Sequence, residues 1–276
     1  MSEKLEGKVA IISGAGRGIG REIALKLASD GARVVVNDLD AGPAEDVVSA
    51  IKAMGGNAVA CVGIVTAPDF AERFVGAAVE SFGGLDIIVN NAGYTWDSVV
   101  QKMTDEQWYA IIDCHLTAPF RILRAAQPVI KALSKADADR GVRSVRKVVN
   151  ISSMAGLFGN VGQLNYAAGK AGITGMTMTL AKEWGRMGVT VNAVAYGLIK
   201  TRLTASTVAG DTVTVEGRNI KVGVNPGLMA AMEQTIPMGR AGTPEEAAGA
   251  VYLFCIPESD YVSGQTLICS GGLTGL

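Results

Sequence analysis

Histidine is nearly absent from this chain: among 276 residues only His115 is found, so no cluster resembling a zinc site can be assembled. The four cysteines, Cys61, Cys114, Cys255 and Cys269, lie far apart in apolar surroundings without Cys-x-x-Cys spacing. That pattern predicts buried free thiols rather than a disulfide framework or a metal knuckle. Net charge is also lacking, at −1, and with it the basic face that a nucleic-acid partner requires. No apolar run approaches the length of a membrane span, and Met1 to Lys8 is charged where a signal peptide needs an apolar core. A cytoplasmic location and no membrane partner are expected. Neither a Gly-x-Ser-x-Gly elbow nor a Walker A sequence occurs, which weakens hydrolase and nucleotide-hydrolysing readings.

What is present is the composition of a soluble globular protein, 49% hydrophobic and 18% charged, long enough to bury a full core. Short apolar runs alternate with helical patterns. Val9 to Ile12, Arg33 to Asn37, Ala58 to Val62, Asp86 to Asn90, Lys147 to Ile151, Thr190 to Val194 and Thr266 to Ile268 read as strands, with helix-length segments between most of them. The alternation predicts a parallel sheet covered by helices on both sides, without a linker or internal repeat.

Chemistry is concentrated in three stretches. The first strand runs into Ser13-Gly-Ala-Gly-Arg-Gly-Ile-Gly20, followed by helical spacing. Glycines there let the backbone turn sharply and let a pyrophosphate approach the amino end of a helix, where free N–H groups favour an anion. The spacing, Gly14-x-x-x-Gly18-x-Gly20, is not Gly-x-Gly-x-x-Gly. Asp38 closes the second strand, where a carboxylate accepts hydrogen bonds from ribose hydroxyls and repels a 2′-phosphate, favouring NAD over NADP. Arg17 pulls the other way, because a guanidinium can pair with that phosphate; otherwise it is a solvated loop residue. In the second stretch, Asn90-Asn-Ala-Gly93, the asparagines can brace backbone and Gly93 permits close approach.

The third stretch runs from Asn150 to Lys170. Tyr166 and Lys170 are four apart, so on a helix they rise from one face. An ammonium beside a phenol favours the phenolate and brings an ordinary pKa of about 10 toward the working range of an acid-base group. Ser153 follows an apolar strand and can present its hydroxyl at the strand's carboxyl end. Tyr-x-x-x-Lys by itself recurs by chance in helices.

Taken together, the glycine turn, Asn90 to Gly93, Ser153 thirteen positions before Tyr166, and Tyr166-Ala-Ala-Gly-Lys170 resemble the short-chain dehydrogenase/reductase family. The likeness is nearest to its 3-oxoacyl-[acyl-carrier-protein] reductase-like group. Val191 to Val194, Pro237 to Glu246 and Val262 through Gly272 extend the likeness along nearly the whole chain. The resemblance implies one domain over 1–276, with a Rossmann-type doubly wound parallel sheet of seven strands in the order 3-2-1-4-5-6-7. It also implies a substrate lid over about 198–240 and a homotetramer.

By the same resemblance Tyr166 is the proton donor and acceptor, Ser153 orients the substrate oxygen, and Lys170 lowers the tyrosine pKa and binds the nicotinamide ribose. Gly14, Arg17, Gly18, Ile19, Gly20, Asp38, Val65, Asn91, Ala92, Gly93, Gly197, Ile199 and Thr201 line the cofactor, NAD or NADP. The implied reaction is reversible hydride transfer to a carbonyl, with a 3-oxoacyl or 3-hydroxyacyl thioester as the nearest substrate. Steroids, polyols and other secondary alcohols are alternatives, and a dinucleotide-sensing scaffold without catalysis is a remote one.

The chain departs from the family pattern in several places. His115 stands where an asparagine usually holds a water in a proton relay; it either keeps the relay and adds a titration near neutral pH, or only satisfies backbone groups. Ala195-Tyr196-Gly197 replaces Pro-Gly, so the Tyr196 ring packs either on the ligand or away from it. Ile64 replaces an aspartate that contacts adenine, leaving only the backbone of Val65. Ser134 to Lys147, highly charged, reads as a solvated loop, and Asp105 as the cap of the helix carrying His115. Thr212 to Val222 alternates around Gly217 as a β-hairpin, and Asn225-Pro226 as a helix cap with a first-turn proline. Such a lid covers either a large substrate or another subunit.

Overall fold

The predicted strands all form, with ends shifted by no more than two residues. The computed structural model describes residues 3–201, 212–215, 217–221 and 226–273. In chain order it contains β1 (Val9–Ile12), α1 (Gly18–Ala28), β2 (Arg33–Val36), α2 (Ala41–Ala53), β3 (Asn57–Ala60), α3 (Phe70–Phe82) and β4 (Ile87–Asn90). Next come α4 (Asp105–Ile112), α5 (Ala118–Asp139), β5 (Arg146–Ser153), α6 (Met154–Phe158), α7 (Leu164–Trp184) and β6 (Val189–Tyr196). The chain then forms β7 (Thr212–Val215), β8 (Arg218–Lys221), α8 (Pro226–Thr235), α9 (Pro244–Cys255) and β9 (Thr266–Cys269). Seven strands make one parallel sheet in the order β3-β2-β1-β4-β5-β6-β9. With the hairpin strands β7 and β8 set aside, this is the expected 3-2-1-4-5-6-7.

Alternation along the strands divides the core. In β1, Ala10 and Ile12 face α1, α2 and α9, packing with Ile23, Leu27, Val47, Ile51, Val251 and Phe254. Val9 and Ile11 face the other way, toward Phe70 and Phe74 of α3 and Ile122 and Ile130 of α5. Because both faces are covered, the strands read as unbroken apolar runs. Each fully buried large side chain contributes roughly 1.5–3 kcal/mol.

The sheet reverses its winding between β1 and β4, and there the carboxyl ends of the strands open a crevice where ligands of such folds bind. All three chemical stretches begin at carboxyl ends: the glycine turn after β1, Asn91 to Gly93 after β4 and Ser153 at the end of β5.

Two readings are corrected. The charged segment Ser134 to Lys147 is not a solvated loop: α5 continues to Asp139, and Arg146 and Lys147 are 4% exposed at the start of β5. Arg146 Nη2 meets Asp137 Oδ2 at 2.8 Å, while Arg146 donates to Ser134 Oγ at 3.1 Å and Leu85 O at 3.2 Å. Partnered charges of this kind tolerate burial, which charge count alone does not reveal. The helix leading to His115 is capped by Thr104, not Asp105; Thr104 and Gln107 form a reciprocal capping box. That helix is broken at Asp113–Thr117 by one π turn.

The segment expected to form a lid contains the predicted hairpin, with Val213 opposite Ile220, and α8 starts at Pro226 as expected. Asn225, the segment 202–211, and the hairpin's continuation to Val222 lie outside the described residues. No helix among the described residues is long and apolar enough to cross a membrane.

Candidate active site

Two neighbouring elements deliver the predicted catalytic side chains. Ser153 ends β5 in extended backbone and caps α6, its Oγ accepting from Ala155 N at 3.2 Å. That bond uses one lone pair of the hydroxyl and leaves its proton to donate. On α7, Tyr166 and Lys170 lie one turn apart, with the Lys170 ammonium 5.6 Å from the Tyr166 ring centroid. A buried polar chain fixes α7 to the sheet: Asn90 Nδ2 donates to Asn150 Oδ1 at 2.8 Å, Asn150 Nδ2 to Thr177 Oγ1 at 2.9 Å, and Ser152 Oγ to Lys170 O at 2.8 Å. Such bonds are costly to leave unmade in the interior, so they hold the helix in one register.

The electrostatics differ from the expectation of an ammonium that lowers the phenol. Burial pushes Tyr166 up to about 12, and a hydrogen bond with Ser153 opposes that shift. Burial also brings Lys170 down to about 8. The ammonium is held by Ile151 O, to which Nζ donates at 2.7 Å. In this arrangement Tyr166 is a protonated phenol at neutral pH, ready to donate.

His115, on the π turn, is 3% exposed. Its Nε2 lies 2.6 Å from Tyr94 O, its ring meets Tyr166 edge-on at 5.0 Å between centroids, and Nδ1 has no partner among the described residues. Burial first, and the Lys170 charge second, hold the imidazole well below its ordinary pKa. The expected titration near neutral pH is therefore not what this environment gives; a neutral ring donating from Nε2 is. Gly93 lies against that ring, and a Cβ on Gly93 would overlap His115 Cε1 and come within 2.8 Å of Nδ1. Asn165 ties the same loop down, donating to Trp96 O at 3.2 Å and Gln107 O at 3.0 Å. Tyr94, Ile111, Cys114 and the hairpin's Ile220 form a small apolar cluster on which Trp96, Val65 and Tyr166 pack.

The other end of the crevice is built around the glycine turn. Helix α1 starts at Gly18 with no side-chain cap and no acidic residue in its first turn, leaving amide N–H groups to an anion. A Cβ on Gly20 would overlap Gly14 O, so the turn closes only with glycine there. Asn91 Nδ2 donates to Ser13 O and Gly14 O, both at 3.0 Å, while Ser13 Oγ accepts from Asn91 N at 3.0 Å and Ala92 N at 3.1 Å. Asn37 Oδ1 accepts from Gly14 N at 3.1 Å. Asp38 is 8% exposed, and its carboxylate takes Gly16 N at 3.2 Å and Asp40 N at 3.1 Å.

Comparison with known proteins then decides the kinship, for the short chain dehydrogenase family matches residues 8–212. The chain belongs to the short-chain dehydrogenase family. It is 39% identical over 271 residues to the 3-oxoacyl-[acyl-carrier-protein] reductase of Synechocystis sp., covering 98% of each chain. The like-named enzyme of Vibrio cholerae is 37% identical over 269 residues, again with 98% of each covered. That of Thermotoga maritima is 35% identical over 271 residues, 98% of this chain and 99% of the relative. This short-chain dehydrogenase is accordingly an oxidoreductase acting on a carbonyl or secondary alcohol with a nicotinamide cofactor. The uncapped amino end of α1, the closed glycine turn and the buried Asp38 acceptor fit the phosphates and ribose of such a cofactor.

The other residues singled out in the sequence have partners of their own. Arg17 is no free loop residue; Nη1 lies 2.9 Å from Asp40 Oδ2 and 3.4 Å from Asp38 Oδ1. Tyr196 packs away from the crevice, 6% exposed, its hydroxyl donating to Ala247 O at 2.7 Å. Gly197 N donates to Cys269 O at 3.0 Å, and Ile199 is buried beside Gly242. Thr201 flanks Gly18, and Ile19 and Val65 are half-buried. All four cysteines are free; Cys61, Cys114 and Cys255 are buried and Cys269 half-buried.

Sequence reading missed Ser13, Asn37, Asn165 and Ser152. They act through backbone partners distant in the chain, and their only local signal was polarity inside or beside an apolar run.

Proposed function

We propose that this short-chain dehydrogenase interconverts a 3-oxoacyl and a 3-hydroxyacyl thioester, with NAD preferred over NADP. The observation that carries the catalytic part is the convergence of Ser153, at the carboxyl edge of β5, with Tyr166 and with Lys170 one turn behind it. The nicotinamide, when bound, supplies or accepts the hydride. Tyr166 gives its proton to the substrate oxygen in reduction and receives it back in oxidation, while Ser153 donates to the same oxygen as charge develops there. Lys170 binds the nicotinamide ribose. The amino end of α1 with Gly14, Gly18, Ile19 and Gly20 holds the pyrophosphate. Asp38 takes the adenosine ribose, Val65 the adenine, Asn91, Ala92 and Gly93 back the nicotinamide end, and Gly197, Ile199 and Thr201 meet the carboxamide.

The thioester assignment rests on relatives of that name aligned along nearly the whole chain. NAD is favoured because Asp38 is a buried carboxylate at the ribose position; a cofactor of that kind suits oxidation of the hydroxyacyl form. The whole chain acts as one domain, in a homotetramer.

Steady-state rates with NAD and NADP against acetoacetyl and 3-hydroxybutyryl thioesters and a secondary-alcohol panel test substrate and cofactor together. Tyr166→Phe is expected to lower turnover by at least about a hundredfold with cofactor affinity nearly unchanged. Retention of more than a few per cent of activity would falsify the assignment of Tyr166.

A further inference from the structure

Asp40 is an N-cap residue that does not cap. It precedes α2 in extended backbone, yet its side chain makes no hydrogen bond to the helix, although aspartate is a favoured capping residue there. Its carboxylate reaches instead across the crevice mouth to Arg17, with Nη1 to Oδ2 at 2.9 Å, shorter than the 3.4 Å from Nη1 to Asp38 Oδ1. An exposed ion pair adds little to stability, so the consequence of this one is where it points the guanidinium. Arg17 is the cation of the glycine turn that could otherwise meet a 2′-phosphate. Asp38 is held in place by Gly16 N and Asp40 N, and Gly16 has no room for a Cβ, which would fall 2.5 Å from Asp38 Oδ2. Two carboxylates therefore bracket one guanidinium, and the edge of the ribose site carries a negative balance.

We infer that Asp40 is a second cofactor-specificity residue, which excludes the 2′-phosphorylated dinucleotide by occupying Arg17. This rests on the reading that Asp38 faces the adenosine ribose. Asp38 repels a 2′-phosphate directly; Asp40 removes the counter-charge that would offset that repulsion. The two act on different groups, so loss of Asp40 alone relaxes discrimination while Asp38 still accepts the ribose hydroxyls.

Calorimetric titration of the full chain with ADP and with adenosine 2′,5′-bisphosphate tests this without turnover. Asp40→Asn keeps the shape and is equally tolerated at an N-cap position. It is expected to tighten the 2′-phosphorylated ligand roughly tenfold relative to ADP. Adding Arg17→Ala to Asp40→Asn is expected to abolish that gain. An unchanged ratio in Asp40→Asn overturns the inference, as does a gain that survives loss of Arg17. If neither ligand binds the wild-type chain, the ribose assignment falls and the inference with it, a result distinct from binding with an unaltered ratio.

Discussion

Lys170 is buried and Tyr166 half-buried, and their titrations act on stability in opposite directions. Lys170 releases its proton near pH 8 in the folded chain, against 10.5 for the unperturbed group. Between those values the unfolded chain binds more protons, so stability climbs with pH as the cost of a buried ammonium is relieved, by up to about 3 kcal/mol. Tyr166 keeps its proton to about pH 12 when folded, against 10.0 unperturbed, so stability falls again above pH 10. Urea midpoints measured from pH 7 to 11 should therefore pass through a maximum, and Lys170→Met should lack the rising limb. Identical limbs in the two proteins would mean that Lys170 is not a buried cation. The pair Tyr166 and Lys170 was legible in the sequence because helix geometry links residues four apart. Their protonation was not, since it depends on the desolvation and on the Ile151 carbonyl that folding brings to the ammonium.

At the scale of elements, the strands and the glycine turn could be read because parallel strands covered on both faces leave unbroken apolar runs, whatever encloses them. Elements whose character comes from a distant partner could not. Arg146 looks like a surface charge until Asp137 is found beside it, and the π turn at His115 carries no marker in Asp113 to Thr117. The hairpin β7–β8 stands between these cases. Its alternation announced two strands and left open whether it covers substrate or a second subunit. Ile220 decides what it covers within the chain, because it is 2% exposed and packs with Tyr94, Ile111 and Cys114, the cluster that also supports Trp96 and Tyr166. Ile220 is the hairpin's buried anchor among the described residues, so the hairpin should loosen when that contact is lost. Ile220→Ser is expected to speed hydrogen exchange in both hairpin strands at least tenfold while lowering the melting temperature by no more than a few degrees, since the two main cores are untouched. Exchange that stays at the wild-type rate would show that other contacts hold the hairpin.

The whole molecule leaves apolar side chains exposed on both helical layers. On the layer formed with α5 and α7, Tyr109, Phe120 and Met178 are 61%, 47% and 51% exposed; on the α9 side, Leu253 and Tyr261 are 53% and 100% exposed. Strand β9 lies at an edge of the sheet, with its outer side not paired to another strand among the described residues, the kind of border that proteins cover or blunt. In the proposed homotetramer, two patches on opposite layers would supply the two different twofold contacts that dihedral symmetry requires. Light scattering at micromolar concentration should thus give four times the chain mass of 28.5 kDa. Phe120→Glu combined with Tyr109→Glu removes one patch only and should leave a stable dimer held through the α9 side; a monomer from that variant would mean that the patches do not act independently, and a wild-type monomer would remove the tetramer altogether. The dimer should keep its turnover per chain, because Ser153, Tyr166, Lys170 and the glycine turn all come from one subunit, and a loss of activity on dissociation would place part of the site across the lost contact.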